Sequence, residues 1–408
     1  MKFKSALSFI LIVIICISTV TISNAAVLSN SYSMLWLDSY AEYIKSSNQT
    51  NEITVAVIDT GCADIEILGD KLIAGYDFVD MDNDVTNDKS SDSHGTFIAS
   101  IIADITDELP VKIMPVRILE NKNVSADNLI KGIKYAVDNG ADILNISIGG
   151  TLTDCTEINN AVAYAEENDV TVVVSAGNAK KEITNFCPSH IESCITVSAV
   201  DDNRNFAKKY SNYGDAVDCC AFGNNIAGYN ADGELTTLSG TSFSAALISA
   251  GCALLKLDNP EYSAQQVQNT IKSICIDLGD EGKDKYYGYG LPDFNMLIPF
   301  TAEIINYSET QKIDYLSTFI LHAENNIPFD STIDWYVNGQ YYSTGDTFEM
   351  GNIRENFDVY FTVSDNYGYV IQSKTESIMV KSRFFDRFIA FFRNLFGILP
   401  TWIDNVKQ

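Results

Sequence analysis

Short apolar runs alternate with longer segments of helical periodicity between about residues 53 and 297. The apolar runs are rich in β-branched residues and almost continuous, as strands buried on both faces of a sheet would be. They are ITVAVID at 53–59, VKIMPVRI at 111–118, ADILNISI at 141–148, VTVVVSA at 170–176 and CITVSAV at 194–200. The helical patterns cover 125–139, 156–168, 241–257 and 263–274. This alternation predicts an α/β fold with a doubly wound parallel sheet, whose ligands bind at the carboxyl ends of the strands.

The pattern changes after Pro299. Between 300 and 380, runs such as IDWYVNGQYY and FDVYFTVSD alternate apolar and polar residues around glycine-containing turns, which predicts a small C-terminal β-sandwich. In the last segment, 381–408, the apolar residues of 384–399 repeat at helical spacing and predict an amphipathic C-terminal helix. That pattern is compatible with packing on the protein or a partner, with contact to a membrane interface, and with disorder.

The net charge limits the partners that this protein can bind, and its N-terminal segment indicates the compartment in which it works. The formal net charge of −27 argues against nucleic acid as the main partner, because both would be negatively charged. Residues 1–26 have the basic, apolar and small-residue order of a cleaved export signal, from Lys2 and Lys4 to Ala25-Ala26, with an uncleaved anchor as the alternative. We therefore expect a secreted or cell-surface protein whose main domain covers 27–298.

Eight of the nine cysteines follow the predicted signal. An even number in an exported chain predicts some disulfides. Cys187 and Cys194 are close enough for a local loop, whereas Cys252 lies in a helical pattern typical of a buried free thiol. Adjacent Cys219 and Cys220 rarely bond to each other and would pair elsewhere, if at all. No cysteine spacing predicts a zinc site.

Four polar residues stand at junctions between predicted strands and helices: Asp59 in VAVIDTG, His94 in HGTFIASIIAD, Asn178 in VVVSAGN and Ser242 in SGTSFSAALI. An acid, an imidazole and a hydroxyl are the components of a Ser-His-Asp hydrolase, and a side-chain amide can donate to an oxyanion. Taken singly, each has an ordinary alternative as a turn or helix cap. Because a doubly wound sheet gathers such junctions into one crevice, we expect the four residues to converge.

With these flanking residues and in this order, the chain resembles the subtilisin-like serine proteases, the subtilases, over about residues 36–297. The resemblance implies a serine endopeptidase in which Ser242 attacks the scissile carbonyl and His94 transfers the proton. It also implies that Asp59 orients the imidazole and that Asn178 binds the oxyanion. The C-terminal sandwich more weakly resembles immunoglobulin-like or PKD-like modules.

The resemblance further implies where an extended polypeptide substrate binds. LNISIGG resembles the strand along which subtilases pair a substrate backbone, with an ordinary core strand as the alternative. The main-chain groups expected to contact substrate belong to Ser147, Ile148 and Gly149. The opposite wall is expected from Ser175, Ala176 and Gly177.

The acidic run YDFVDMDNDVTND looks like the calcium loop of some thermostable subtilases. Its hard oxygen donors stand at near-alternate positions, which suits calcium, and a solvated acidic loop is the alternative. The candidate ligands are Asp77, Asp80, Asp82, Asp84 and Thr86. No organic cofactor is expected.

Several positions depart from the subtilase pattern. Phe97 stands where the family has a second histidine, and the segment 102–111 lacks the loop of subtilisin's strong calcium site. Phe222 replaces the proline of the common Ala-Pro-Gly, and Phe186 is expected to narrow the specificity pocket. The roughly twenty-five residues between signal and first strand are too few for the usual propeptide. These departures leave every predicted catalytic group in place.

We therefore expect an exported endopeptidase, active either in general peptide scavenging or in selective processing of an exported polypeptide. Two other functions remain open. One is a surface-binding protein with a vestigial protease fold that recognises its partner through the β-sandwich. The other is an esterase that uses the same catalytic machinery.

Overall fold

The structure is a computed structural model, and it describes most of the chain between residues 35 and 381. The described ranges are 35–47, 50–86, 93–120, 123–148, 150–151, 155–299, 301–307, 312–314, 317–325, 331–365 and 370–381. The predicted signal at 1–26, Gly149 and the apolar residues of 384–399 lie outside them. The chain divides into two compact units, Met1–Ile298 and Pro299–Gln408.

Six helices lie in the described part of the first unit, and the last four follow the predicted periodicity closely. They are α1 (Leu37–Ser46), α2 (His94–Ile105), α3 (Ala126–Asp138), α4 (Thr156–Glu167), α5 (Thr241–Asp258) and α6 (Ala264–Ser273), with short 3-10 turns at Gly69–Lys71 and Phe294–Leu297. Local chemistry sets several ends. Ser125 caps α3, and Ser263 with Gln266 forms a reciprocal capping box at the start of α6.

The strands of the first unit are mostly short, and the longest coincide with the predicted apolar runs. They are β1 (Ile53–Asp59), β2 (Tyr76–Asp77), β3 (Val111–Arg117), β4 (Leu119–Glu120), β5 (Asn123–Val124), β6 (Ile143–Ile146), β7 (Gly150–Thr151), β8 (Thr171–Ser175), β9 (Phe186–Cys187), β10 (Cys194–Val200), β11 (Cys219–Phe222), β12 (Ile226–Tyr229), β13 (Leu235–Leu238), β14 (Cys275–Ile276) and β15 (Leu291–Pro292).

Seven of these strands form one sheet in the order β11-β10-β8-β6-β1-β3-β2. Every pairing in it is parallel. The order reverses direction at β1, which lies between β3 and β6, so β1 ends at the switch point of the sheet. The predicted α/β fold with a doubly wound parallel sheet is confirmed.

Helices cover both faces of this sheet. α3 and α4 pack on one face, where Ile133 and Ala161 join a core with alternate strand residues such as Ile58 and Val172. On the other face α5 is buried over all of its residues but the last. A helix surrounded by protein must be apolar or small on every side, which is why TSFSAALISAGCALL lacks an amphipathic stripe. Its N-terminus therefore has a closely defined position at the carboxyl edge of the sheet.

The second unit consists of β-strands. They are β16 (Ala302–Ile305), β17 (Lys312–Asp314), β18 (Phe319–Asn325), β19 (Ser331–Val337), β20 (Gln340–Thr344), β21 (Thr347–Met350), β22 (Phe357–Asp365), β23 (Val370–Gln372) and β24 (Glu376–Lys381). One sheet has the order β16-β18-β21, and the other has β17-β24-β22-β19-β20 with β23 paired to β22.

A single aromatic core joins these two sheets. Trp335 is fully buried, its ring lies 5.3 Å from Phe348 of the other sheet, and its Nε1 donates to the carbonyl of Gly345 at 2.8 Å. A buried indole needs such a partner for its one donor. The predicted C-terminal β-structure is therefore present, while its likeness to immunoglobulin-like or PKD-like modules stays a prediction.

The described residues contain no helix that is both long enough and apolar enough to span a bilayer.

The cysteine pairing differs from the predicted local loop. Cys187 forms a disulfide with Cys155, with Cα atoms 6.2 Å apart, so the suggested Cys187–Cys194 loop is wrong. Cys194 begins β10, the second strand from one edge of the sheet, and is buried as a free thiol. A residue held in the register of a buried strand cannot turn toward Cys187. The prediction for Cys252 is confirmed, because it is free and buried in α5.

Candidate active site

Asp59 and His94 meet at the carboxyl end of β1. The Oδ1 atom of Asp59 lies 2.8 Å from Nδ1 of His94 and also accepts from the backbone N–H of Thr60 at 2.8 Å. Asp59 is fully buried, whereas the His94 side chain is 20% exposed. A buried carboxylate accepting at Nδ1 selects the tautomer that leaves Nε2 open to accept a proton.

The first turn of α2 is fastened to the loop after β1. The N–H of Gly95 donates to Oγ1 of Thr60 at 2.9 Å, and the N–H of Ala63 donates to Oγ1 of Thr96 at 3.0 Å. Gly95 must be glycine here, because a Cβ at that position would lie 2.1 Å from the carbonyl oxygen of Gly61. This close approach places His94 beside Asp59.

Ser242 occupies the first turn of α5 and faces the end of β6. Its Oγ donates to the carbonyl of Ser147 at 3.3 Å, while Oγ of Ser147 donates to the carbonyl of Ser242 at 3.2 Å. The next residue, Phe243, brings its ring to 5.8 Å from the His94 ring. Ser242 is 4% exposed, so its hydroxyl is largely shielded from water.

Asn178 lies just past the end of β8 and is bound to the start of α5. Its Oδ1 accepts from both the backbone N–H and the Oγ1 of Thr241, at 2.9 and 3.1 Å. Because Thr241 occupies Oδ1, the Nδ2 group of Asn178 points away from Thr241. Nδ2 would lie 3.4 Å from a Cβ at Gly240, so Asn178 borders the residue that precedes α5.

Two residues that shape this loop were missed by sequence reasoning. Asn212 is fully buried, donates to the carbonyl of Ala176 at 2.8 Å, and accepts from the N–H groups of Ala179 and Lys181 at 2.9 and 3.0 Å. Thr241 accepts from the N–H of Gly177 at 3.0 Å in addition to holding Asn178. Thr241 stands inside the GTSFSA motif and could have been suspected, whereas no local pattern distinguishes Asn212.

Comparison with known proteins decides the family. The model of the subtilase family, Peptidase S8, matches residues 50–290. Subtilisin DY of Bacillus licheniformis is 30% identical over 254 residues, covering 59% of this chain and 88% of that protein. Thermitase of Thermoactinomyces vulgaris is 32% identical over 238 residues, covering 56% and 82%. The chain belongs to the subtilase family.

A solved structure supports the same fold. The crystal structure of a cold-adapted subtilisin-like serine proteinase aligns with a TM-score of 0.52 at 28% identity, covering 59% of this chain and 86% of that one. The protein is thus a serine endopeptidase of the subtilase type. Relatives of this kind act on peptides, so a peptide is its class of substrate.

The segments expected to flank the substrate lie at the ends of adjacent strands of the subtilase sheet. Ser147 and Ile148 follow β6, and Ala176 and Gly177 follow β8. The main chain of Ala176 is already engaged, since its N–H donates to Val197 and its carbonyl accepts from Asn212. This side is therefore a rigid wall rather than a pairing strand. Gly149 lies outside the described residues.

Phe97 and Phe186 both take defined places near the cleft. Phe97 is fully buried and packs edge-on against Phe243 at 4.9 Å, so it supports the aromatic ring that contacts His94. The Phe186 ring lies 3.6 Å from where a Cβ of Gly177 would be. Phe186 thus borders the wall after β8, at the position where a narrowed pocket is predicted.

Two of the predicted calcium ligands in the acidic loop bind an arginine side chain. Oδ2 of Asp77 accepts from the Arg117 guanidinium, and Oδ2 of Asp80 accepts from the same nitrogen at 2.6 Å. Oδ1 of Asp77 caps the loop through the N–H groups of Val79 and Asp80. Arg117 is 2% exposed and ends β3, so a built-in cation already neutralises the two aspartates.

The remaining candidate ligands of that loop make local turns. Asp82 accepts from the N–H of Asp84 at 2.9 Å, and Asp84 accepts from both the N–H and the hydroxyl of Thr86. In the described part of the loop no three carboxylates gather as a metal-ligand group. Calcium is a common structural ion in subtilases, and its binding by Asp77, Asp80, Asp82, Asp84 and Thr86 stays a prediction.

We predict that Arg117→Leu destabilises the first unit by about 3–5 kcal/mol, because it leaves Asp77 buried without its cation. Asp80→Asn is the matched control. It removes only the partner whose side chain is 53% exposed, so its cost is about 1 kcal/mol or less. Denaturant unfolding of both variants measures the two costs. Equal costs would contradict the role of Arg117 as the cation of the loop.

We also predict that Gly95→Ala costs about 1–3 kcal/mol of stability and reduces peptidase activity, because the added methyl group pushes α2 away from Gly61. The matched control is Gly132→Ala in α3, where a Cβ would lie 2.8 Å from Cγ2 of Ile118. That substitution overpacks the same sheet away from His94. Unfolding and peptide hydrolysis are measured together. Equal activity in the two variants would show that Gly95 serves stability alone.

Proposed function

We propose that this subtilase is an exported endopeptidase that hydrolyses peptide bonds with Ser242 as nucleophile, His94 as general base and acid, and Asp59 as the group that orients the imidazole. The observation that carries the proposal is the hydrogen bond between Asp59 and Nδ1 of His94 at the switch point of the sheet. It is supported by the position of Ser242 at the buried start of α5, next to the ring that contacts His94.

In the proposed reaction Nε2 of His94 removes the proton of the Ser242 hydroxyl as Oγ attacks the scissile carbonyl. The hydroxyl must first rotate away from the carbonyl of Ser147, a small side-chain movement of the kind that substrate binding produces. Protonated His94 then gives its proton to the leaving amine. Fully buried Asp59 stabilises the imidazolium in a medium of low dielectric constant, where the attraction is stronger than in water.

We propose Asn178 and the backbone N–H of Ser242 as the oxyanion donors. The amide of Asn178 is oriented before substrate arrives, because Thr241 holds its Oδ1 twice. A backbone N–H in the first turn of a helix lacks an intrahelical partner and points toward negative charge. Because these donors are in place before the reaction, they stabilise the charge of the transition state without having to reorganise, and this lowers the barrier.

We propose that an extended polypeptide binds between the main chain of Ser147, Ile148 and Gly149 and the wall formed by Ser175, Ala176 and Gly177. The mutual hydrogen bonds of Ser147 and Ser242 support this placement, since they bring the end of β6 against the nucleophile. Substrate pairing with a strand edge uses main-chain hydrogen bonds for affinity and side-chain pockets for specificity.

We propose export to the cell exterior or surface as the location. Residues 1–26 support it, and so does the Cys155–Cys187 disulfide, because such bonds persist in oxidising compartments. A relative from Bacillus subtilis (strain 168), named cell wall-associated protease, is 29% identical over 269 residues, 62% of this chain and 29% of that protein. The division into a signal at 1–26, a catalytic domain at 27–298, a β-sandwich at 300–380 and a tail at 381–408 is part of the proposal.

The experiment that tests the nucleophile is labelling of the full chain by a fluorophosphonate, which reacts with activated serine hydroxyls. Wild type is expected to be labelled, and Ser242→Ala is expected not to be. Ser244→Ala, two positions further along α5, is the matched control and is expected to label normally. Unlabelled wild type that still binds a peptide would favour the vestigial binding protein, and hydrolysis of small esters without peptides would favour the esterase.

Replacing Asn178 by leucine is expected to lower kcat roughly ten- to hundredfold with KM nearly unchanged. A hydrogen bond to a charged group contributes about 1.5–3 kcal/mol. The oxyanion forms only as the transition state is reached, so losing this bond lowers kcat and leaves substrate binding nearly unchanged. Thr241→Val, which removes one of the two anchors of the amide, is expected to give an intermediate loss. Steady-state hydrolysis of a peptide measures both. A raised KM at constant kcat would place Asn178 in substrate binding instead.

A further inference from the structure

One cluster of metal-binding side chains lies outside the proposed catalytic machinery. Cys155, Cys187 and His190 present their ligand atoms within 4.8 Å of one another, and they are the one such group of three in the described part of the chain. Cys155 precedes α4, Cys187 lies in β9, and His190 follows three residues later. No local cysteine spacing indicates this site, because folding brings Cys155 to the other two.

The tautomer of His190 is set as in a metal-binding histidine. Its Nδ1 lies 2.8 Å from the carbonyl oxygen of Phe186. A carbonyl can only accept, so Nδ1 carries the proton and Nε2 carries the lone pair. Histidines that bind a metal through one ring nitrogen usually donate from the other nitrogen to a backbone carbonyl or a carboxylate, as Nδ1 of His190 does here.

Cys155 stands at the start of α4. It is the N-cap residue of that helix, and its carbonyl accepts the N–H of Asn159 at 2.8 Å. The thiols of Cys194, Cys219, Cys220 and Cys252 are free but fully buried, and burial raises the pKa of each.

We propose that Cys155, Cys187 and His190 form a zinc site that opens when their disulfide is reduced. A dithiol reductant transfers two electrons to the Cys155–Cys187 bond, gives two thiols and becomes a cyclic disulfide itself. Zinc then displaces the two thiol protons and binds both sulfurs and Nε2 of His190, with water as the fourth ligand. The disulfide and the zinc site are exclusive states of the same two sulfurs.

The ligand chemistry selects the metal. Zinc–sulfur bonds of about 2.3 Å in a tetrahedron place two sulfurs roughly 3.8 Å apart, so the two sulfurs must separate once the disulfide is reduced. Two thiolates and an imidazole select zinc over calcium or magnesium, which prefer oxygen ligands. Cys187 pairs with Gly150, five residues before Cys155, in the antiparallel β7–β9 ladder.

The test uses the full chain, reduced with a dithiol, freed of it without oxygen, and titrated with Co²⁺ as a spectroscopic substitute for zinc. Reduced wild type is expected to bind one Co²⁺ with the visible bands of a tetrahedral thiolate site, and Zn²⁺ is expected to displace it. Oxidised wild type is expected to show no such bands. His190→Ala is expected to weaken binding at least about tenfold, since even supporting groups change metal affinity by that factor.

The controls separate this site from the other thiols and histidines. Cys155→Ser is expected to abolish the thiolate bands, whereas Cys275→Ser, at a partly exposed free thiol, and His322→Ala, in the second unit, are expected to leave them unchanged. Circular dichroism of each variant reports that the chain is folded. Reduced wild type without the bands, bands that persist in Cys155→Ser, or an unchanged Co²⁺ affinity in His190→Ala would overturn the proposal. Because metal binding is read by absorption, failure of the peptidase proposal would leave this result intact.

Discussion

The carboxyl edge of the parallel sheet is the constraint on which the whole site depends. β8, β6 and β1 are neighbours in the sheet, and they end beside Asn178, Ser147 and Asp59 respectively. Main-chain hydrogen bonds hold each strand in register with the next, so the groups that follow the strands have little freedom relative to one another. Residues far apart in sequence therefore lie side by side before any substrate binds.

Two helix N-termini complete the site from the opposite direction. α2 brings His94 to Asp59 because Gly95 permits contact with the loop after β1, and α5 brings Ser242 to the end of β6 because its whole length is buried. A buried helix has one position at which its side chains fill the surrounding space. Packing deep in the core thus determines where the hydroxyl lies, and Thr241 extends that order to Asn178.

Buried charged groups and two of the cysteines also find their partners within the protein. A buried carboxylate needs a cation or several donors, and Asp77 has both, from Arg117 and from the start of its own turn. In this chain the cation is the guanidinium of Arg117 at the end of β3. The sulfurs of Cys155 and Cys187 likewise satisfy each other in the oxidised chain, and His190 stands beside them.

Much of the architecture follows from local pattern. Strands buried on both faces must be continuously apolar, so the runs at 53–59 and 194–200 reappear as β1 and β10, and the helix predicted at 125–139 appears as α3, Ala126–Asp138. The four polar residues of the candidate site could also be selected, because each stands at a strand–helix junction with distinctive neighbours. These features depend on residues close in sequence.

Other features depend on how distant segments pack. Arg117 reaches Asp77 across the β2–β3 pairing, Cys155 rather than Cys194 bonds Cys187, and Asn212 organises the loop that carries Asn178. The amino-acid sequence by itself determined the alternation of strands and helices and the identity of the reactive groups. Only the tertiary structure decided which of them become partners, because periodicity records the burial of a side chain but not the residue that lies opposite it.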